Sequence, residues 1–205
     1  MVTIKDTDNV FINCPFDPAY KPMFDAIVFA IFDCGFRARC SLEEEDTGEV
    51  RIDKILRIIR NCRYGLHDIS RTELCPDNNL PRFNMPLELG LFIGAKKYGN
   101  DEQSKKKYIV FDRDRYRFQM FISDIAGQDI KNHNNEPERA MRAVQSWLSS
   151  SSNRKTVPTF KTIQEHYSQF QIDLPGICLS LNHDITELTF NDYATLVTEW
   201  LSVNA

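Results

Sequence analysis

The chain has 205 residues, 42% hydrophobic and 26% charged, with a formal net charge of −4. That is enough for one full domain plus an appendage, and ordinary for a globular protein. The acidic balance argues against a general nucleic-acid partner, because neutralising phosphates needs a basic surface. No apolar run approaches the roughly 18 residues of a membrane helix, and the first residues (MVTIKDTDN) lack a secretory apolar core, so a cytoplasmic location is expected.

In chain order, Val10–Asn13 reads as a central strand ending in a polar, proline-rich loop. Tyr20–Cys34 follows with a helical period at Met23, Ile27, Ala30 and Ile31, and Gly35 stops it. Phe36–Leu42 alternates as a second strand, and Glu43–Gly48 is an acidic loop. Val50–Cys62 is the clearest amphipathic helix, with Ile52, Ile55, Leu56 and Ile59 as its expected inner face. Tyr64–Ile69 is a third strand, and Pro86–Lys97 a third helix whose proline marks its first turn. Lys107–Phe111 is a fourth strand. Strands alternating with helices imply an α/β protein with a parallel sheet and right-handed crossovers.

Beyond Asp112 the pattern weakens. A short helix is expected near Tyr116–Ile122, and an amphipathic helix over Pro137–Leu148. The run SSSSN (149–153) reads as a linker, giving a main domain over 1–148 and a small, mainly helical extension over 154–205. In the extension, Thr159–Phe170 and Phe190–Leu201 read as helices, with a break at Pro175-Gly176 between them.

Chemistry concentrates around Glu88. It stands near the start of an apolar helix, between Leu87 and Leu89, where the helix dipole favours the ionised carboxylate. Such a carboxylate suits reactions through a ribosyl oxocarbenium ion, which it can stabilise or trap at C1′. It could equally be an ordinary acid of a first helical turn. Asp68 and Ser70 end the third strand and would face the same crevice; Arg71 follows. Asn13 and Asp17 stand where a ribose or phosphate could be met, although Asx residues before prolines are also good turn formers. Asn84, just ahead of the helix, joins the substrate-binding set, and Arg39 could offset phosphate charge. His67 is read as structural. Asp124, Gly127, Asp129 and His133 form a dense cluster that could rim the pocket. No two of the six cysteines are spaced as CxxC, and free thiols are expected, with Cys14 or Cys75 as conceivable nucleophiles. No metal site, dinucleotide fingerprint or P-loop is seen.

The order of these motifs resembles the TIR domain family. The strand VFINCPFD, the segment DTGEVRIDKILRIIRNCRYGLHDIS and the helix carrying LELG put Phe11-Ile12-Asn13, Gly48, Ile52/Ile55/Ile59, Ser70 and Glu88-Leu89 in that family's places. Glu88-Leu89-Gly90 with Ala95 and Lys96 is also similar to the nucleophile helix of nucleoside 2-deoxyribosyltransferases. The resemblance covers about residues 8–111; FNMPL stands where many TIR domains have a Trp-Cys pair, and PDNNL is extra. It implies a doubly wound, flavodoxin-like sheet and cleavage of an N-glycosidic bond in NAD or a nucleoside by Glu88. NAD or a nucleotide would then be substrate, with no cofactor. It also implies homo-oligomeric assembly and, for bacterial members, a place in antiphage defence. Other members are adaptors, so a nucleotide sensor without turnover and an interaction module using the 43–48 loop are the alternatives.

Overall fold

A computed structural model describes residues 8–44, 46, 48–74, 79–152 and 156–205. Five parallel strands, β1 (Asn9–Asn13), β2 (Arg37–Arg39), β3 (Tyr64–Asp68), β4 (Lys107–Asp112) and β5 (Lys131–Asn132), lie in the order β2-β1-β3-β4-β5. This is the expected doubly wound, flavodoxin-like arrangement with a helical C-terminus. The two-residue β5 had no sequence signal, being too short for any periodicity.

Strand alternation divides the core. Val10, Ile12, Leu66, Ile109 and Phe111 face α1 (Lys21–Asp33) and α5 (Pro137–Ser151). Phe11 faces α2 (Arg51–Arg60) and α3 (Asn84–Tyr98), and Val110 packs with Met85 and Leu89 of α3. A short α4 (Asp101–Ser104) precedes β4, and two 3-10 turns, Arg117–Met120 and Ser123–Ile125, replace the single helix expected near Tyr116–Ile122. In α2 the inner face is Ile55, Ile58 and Ile59, spaced for one helical stripe. Ile52 and Leu56, expected inward, stay 37% and 43% exposed.

α5 continues through Ser149–Ser151, so most of the expected linker is helix. Helix α6 (Phe160–Ser180) also runs through the expected break at Pro175. Pro175 is exposed, so the Gln171 carbonyl it deprives of a donor can turn to water. With α7 (Phe190–Asn204), α6 covers the outer side of α1. Phe29 of α1 stacks among Tyr167, Phe170 and Trp200 at centroid distances of 5.2, 5.3 and 6.2 Å. The residues after 156 thus share one hydrophobic core with α1 and α5. Among the described residues no helix is long and apolar enough to cross a membrane.

Candidate functional site

The chain leaves β1 for β2 on one side, then returns to β3 on the other. Strand order therefore reverses between β1 and β3, and doubly wound sheets bind ligands in the crevice beyond the C-terminal ends of such a pair. Asn13 ends β1 and Asp68 ends β3. Helix α3 enters above them with Glu88.

α3 begins at Asn84, two residues before the expected start, so Glu88 is its fifth residue and stands beyond the first turn. The expected stabilisation by the helix terminus is corrected here. The dipole acts within one turn, whereas Glu88 is buried to 7% exposure among Met85, Leu89 and their neighbours. Burial pushes its pKa up to about 7, opposed by the Arg51 guanidinium at the head of α2. Arg51 is a neighbour the sequence did not reveal, because α2 and α3 meet only in the tertiary structure.

Two contacts fix α3 on the sheet. The Asn13 amide nitrogen donates to the Met85 carbonyl at 2.8 Å and lies 3.1 Å from His67 Nδ1. Farther along, Phe92 and His67 pack over Gly65, where a Cβ would meet the Phe92 ring at 2.7 Å. His67 itself is enclosed by Phe11, Phe92 and Tyr108, its Nε2 has no partner, and burial lowers its pKa to about 3. A neutral ring accepting through Nδ1 fits that cage, so His67 is structural, as expected.

On the opposite face of β3, Asp68 is wholly buried. It accepts from the Tyr20 hydroxyl and from the Ser70 amide at 2.8 Å, and its Oδ2 lies 3.0 Å from His133 Nε2. The His133 Nδ1 accepts from the Asn135 amide at 3.0 Å, which leaves the ring proton on Nε2, facing Asp68. Against the cost of burial, these donors hold the Asp68 carboxyl below its ordinary range. Asp68 therefore does not open onto a crevice; it knots the ends of β3 and β5 to α1. Arg117 tightens the same region, bonding Asp112 and the carbonyls of Ile69 and Ser70. No periodicity in the sequence pointed to Tyr20, Arg117 or Asp112.

The remaining candidates divide. Asp17 meets Arg71 at 3.2 Å and Arg82 at 3.7 Å, forming an ion cluster that ties the loop after β1 to the segments after β3 and before α3. Asn84 is exposed at the first residue of α3, and Ser70 is buried with its backbone engaged at both ends. Arg39 is not brought to Glu88: on the edge strand β2 its guanidinium is held by both oxygens of Glu43. Of the polar cluster after β4, only His133 reaches inward, while Asp129 pairs with Lys131 at the surface. The Cys14 thiol is buried, and burial together with Asp68 drives its pKa well up, which disfavours the thiolate a nucleophile needs. Cys75 and Pro76–Asn78 of the PDNNL loop lie outside the described residues. Among the described residues no cluster of three His, Cys, Asp or Glu could hold a metal ion.

No protein family, curated protein or solved structure matches the chain.

What this arrangement offers chemically is one poised carboxyl on a clamped helix. Near pH 7 Glu88 can carry or lack a proton, the condition for acid–base or nucleophilic work. A guanidinium stands nearby, and two more, Arg71 and Arg82, pair with Asp17 in the loops after β3, before α3 and after β1.

Proposed function

We propose that the chain is a TIR-like or deoxyribosyltransferase-like enzyme that cleaves the ribosyl N-glycosidic bond of NAD or a related nucleotide through Glu88. The observation that carries this reading is the buried Glu88 carboxyl, with a pKa near 7, over the point where strand order reverses. In the reaction the C1′–N bond breaks and its electron pair leaves with the base. The ionised Glu88 stabilises the ribosyl cation or bonds to C1′. Water then delivers hydroxyl to C1′, displacing the Glu88 carboxylate with its bonding pair where the ester has formed, and the water's proton goes to the base or solvent. Arg71 and Arg82 would exchange Asp17 for the substrate's phosphates, since partly exposed ion pairs of this kind are weak. Asn13 serves by holding α3, and Asp68 by holding the loop that follows β3. Apolar side chains exposed near the site, Val50, Leu80, Phe83 and Leu87, favour assembly with further copies. A place in antiphage defence follows from the TIR resemblance alone.

Incubation with NAD and with nucleosides, followed by chromatography, tests the reading. Release of nicotinamide or free base by the wild type, abolished in Glu88→Gln, is expected. Tight nucleotide binding without turnover in both proteins would overturn it in favour of a sensor. Neither binding nor turnover, with concentration-dependent assembly, would leave an interaction module.

A further inference from the structure

The edge of the sheet beyond β4 is open for most of its length. β5 pairs only with Phe111 and Asp112, through Lys131 and Asn132. Upstream, Lys107–Val110 has β3 on one side alone. The direction of each backbone group follows from bonds at both ends of the strand. The Lys107 amide donates to the Arg63 carbonyl, and the Phe111 carbonyl accepts from the Ile69 amide, so residues 107, 109 and 111 turn toward β3. By alternation Tyr108 and Val110 turn outward; the Asp112 carbonyl does the same and accepts from the His133 amide. Tyr108 thus directs its N–H and C=O, and Val110 its N–H, to a side where β5 has not yet begun.

That side is a groove of about 740 Å³, between β4, the segment Gln128–Asn132 and the flank of α5. Its apolar wall includes Ile109, Ile130, Ala143 and the half-buried Trp147. Edge strands are commonly guarded by a lysine across the open side. Here Lys107 is drawn away, its amine donating to the Ser151 carbonyl at 2.6 Å. Three cations line the groove, Lys131, Arg139 and Arg142, against one acid, Asp129. Their ion partners are exposed: Asp129 for Lys131, Glu136 for Arg139 and Glu138 for Arg142. Such pairs exchange readily for a better-placed carboxylate.

We propose that this edge binds an extended peptide segment of another protein, apolar at its centre and acidic at its flanks, as an added strand. The unpaired groups of Tyr108 and Val110 supply the ladder, Trp147 and Ala143 take the apolar side chains, and Arg139 and Arg142 meet the acids. Four residues of β4 are available, about 13 Å of strand, so a segment of five or six residues fills the site. This site is independent of Glu88 and of the reaction proposed for it.

The test is an amide-resolved NMR titration of the full chain with three probes. These are acetyl-Glu-Val-Tyr-Val-Glu-amide, the same peptide with Lys for Glu, and the acidic peptide N-methylated at alternate residues. The acidic probe should shift and protect the Tyr108 and Val110 amides. It should bind about fivefold more tightly than the Lys probe at low salt, with the difference shrinking in salt. N-methylation, which removes the strand's donors, should weaken binding at least about tenfold. Ser146→Arg, a change at an exposed residue of α5 that lines the groove, should block it with the fold's spectrum retained. Absence of shifts at Tyr108 and Val110, or equal binding of the N-methylated probe, overturns the proposal. So does a dimer in sedimentation that already protects these amides without peptide, because the edge would then belong to a second copy.

Discussion

The Asn13 side chain, at the end of β1, holds the Met85 carbonyl in the first turn of α3 at 2.8 Å. Through that bond β1, an inner strand of the sheet, sets the height at which Glu88 stands. The amide's other close partner is His67 Nδ1, so a strand end, a buried ring and a helix start form one unit.

Asn13→Ala should therefore cost about 2 kcal/mol of stability, because it removes the side-chain bond to the Met85 carbonyl and leaves His67 Nδ1 buried without a donor. Urea denaturation measures the loss. Asn13→Asp should cost at least as much, since an ionised carboxylate cannot donate to either group. A variant as stable as the wild type would mean that the contact does not hold α3.

Glu88 ties stability to pH in a direction opposite to most acids. Its folded pKa is raised from 4.5 to about 7. Stability from the protonated form is thus complete below pH 4.5 and is lost as pH rises through 7. Glu88→Gln stays neutral throughout. It should match the wild type near pH 4 and exceed it above pH 8, by up to about 3 kcal/mol. Melting temperatures of both proteins from pH 4 to 9 check this; parallel curves would show that Glu88 titrates normally.

His67 acts with the opposite sign. Its folded pKa is lowered from 6.5 to about 3, so its contribution is complete above pH 6.5 and is lost as pH falls through 3. In the Glu88→Gln background, where the opposing carboxyl is removed, stability should fall steadily below pH 6.5, by on the order of 4 kcal/mol at the acid end. Adding His67→Gln, which keeps an acceptor for Asn13, should flatten that slope. Denaturation midpoints at pH 4, 5, 6 and 7 give the comparison.

Much of this architecture was readable because local patterns carried it. The apolar strand VFIN, the glycine after α1 and the proline near the start of α3 each limit the backbone on their own. The helix Lys21–Asp33 also held a clue about the C-terminal part. Met23, Phe24 and the unbroken run Ala26–Ile31 are all buried, which a helix covered on one side does not need. Its second cover is α6 and α7. By contrast, the inner face of α2 differs from the expected one at Ile52, Leu56 and Ile58, since the stripe Ile55, Ile58, Ile59 and the stripe Ile52, Ile55, Leu56, Ile59 differ little as patterns.

The sequence by itself determined the alternation of strands and helices, and with it a parallel sheet with Glu88 on a helix that follows the third strand. Period, turn residues and chain order are local properties, and they suffice for that. Only the tertiary structure decided the chemical state of the site. The raised pKa of Glu88 comes from burial, which outweighs the opposing charge of Arg51; the enclosure of Asp68 comes from Tyr20 and His133, and the loss of Arg39 from its bond to Glu43. Desolvation and charge fields depend on which side chains meet across the fold, and no spacing along the chain records that.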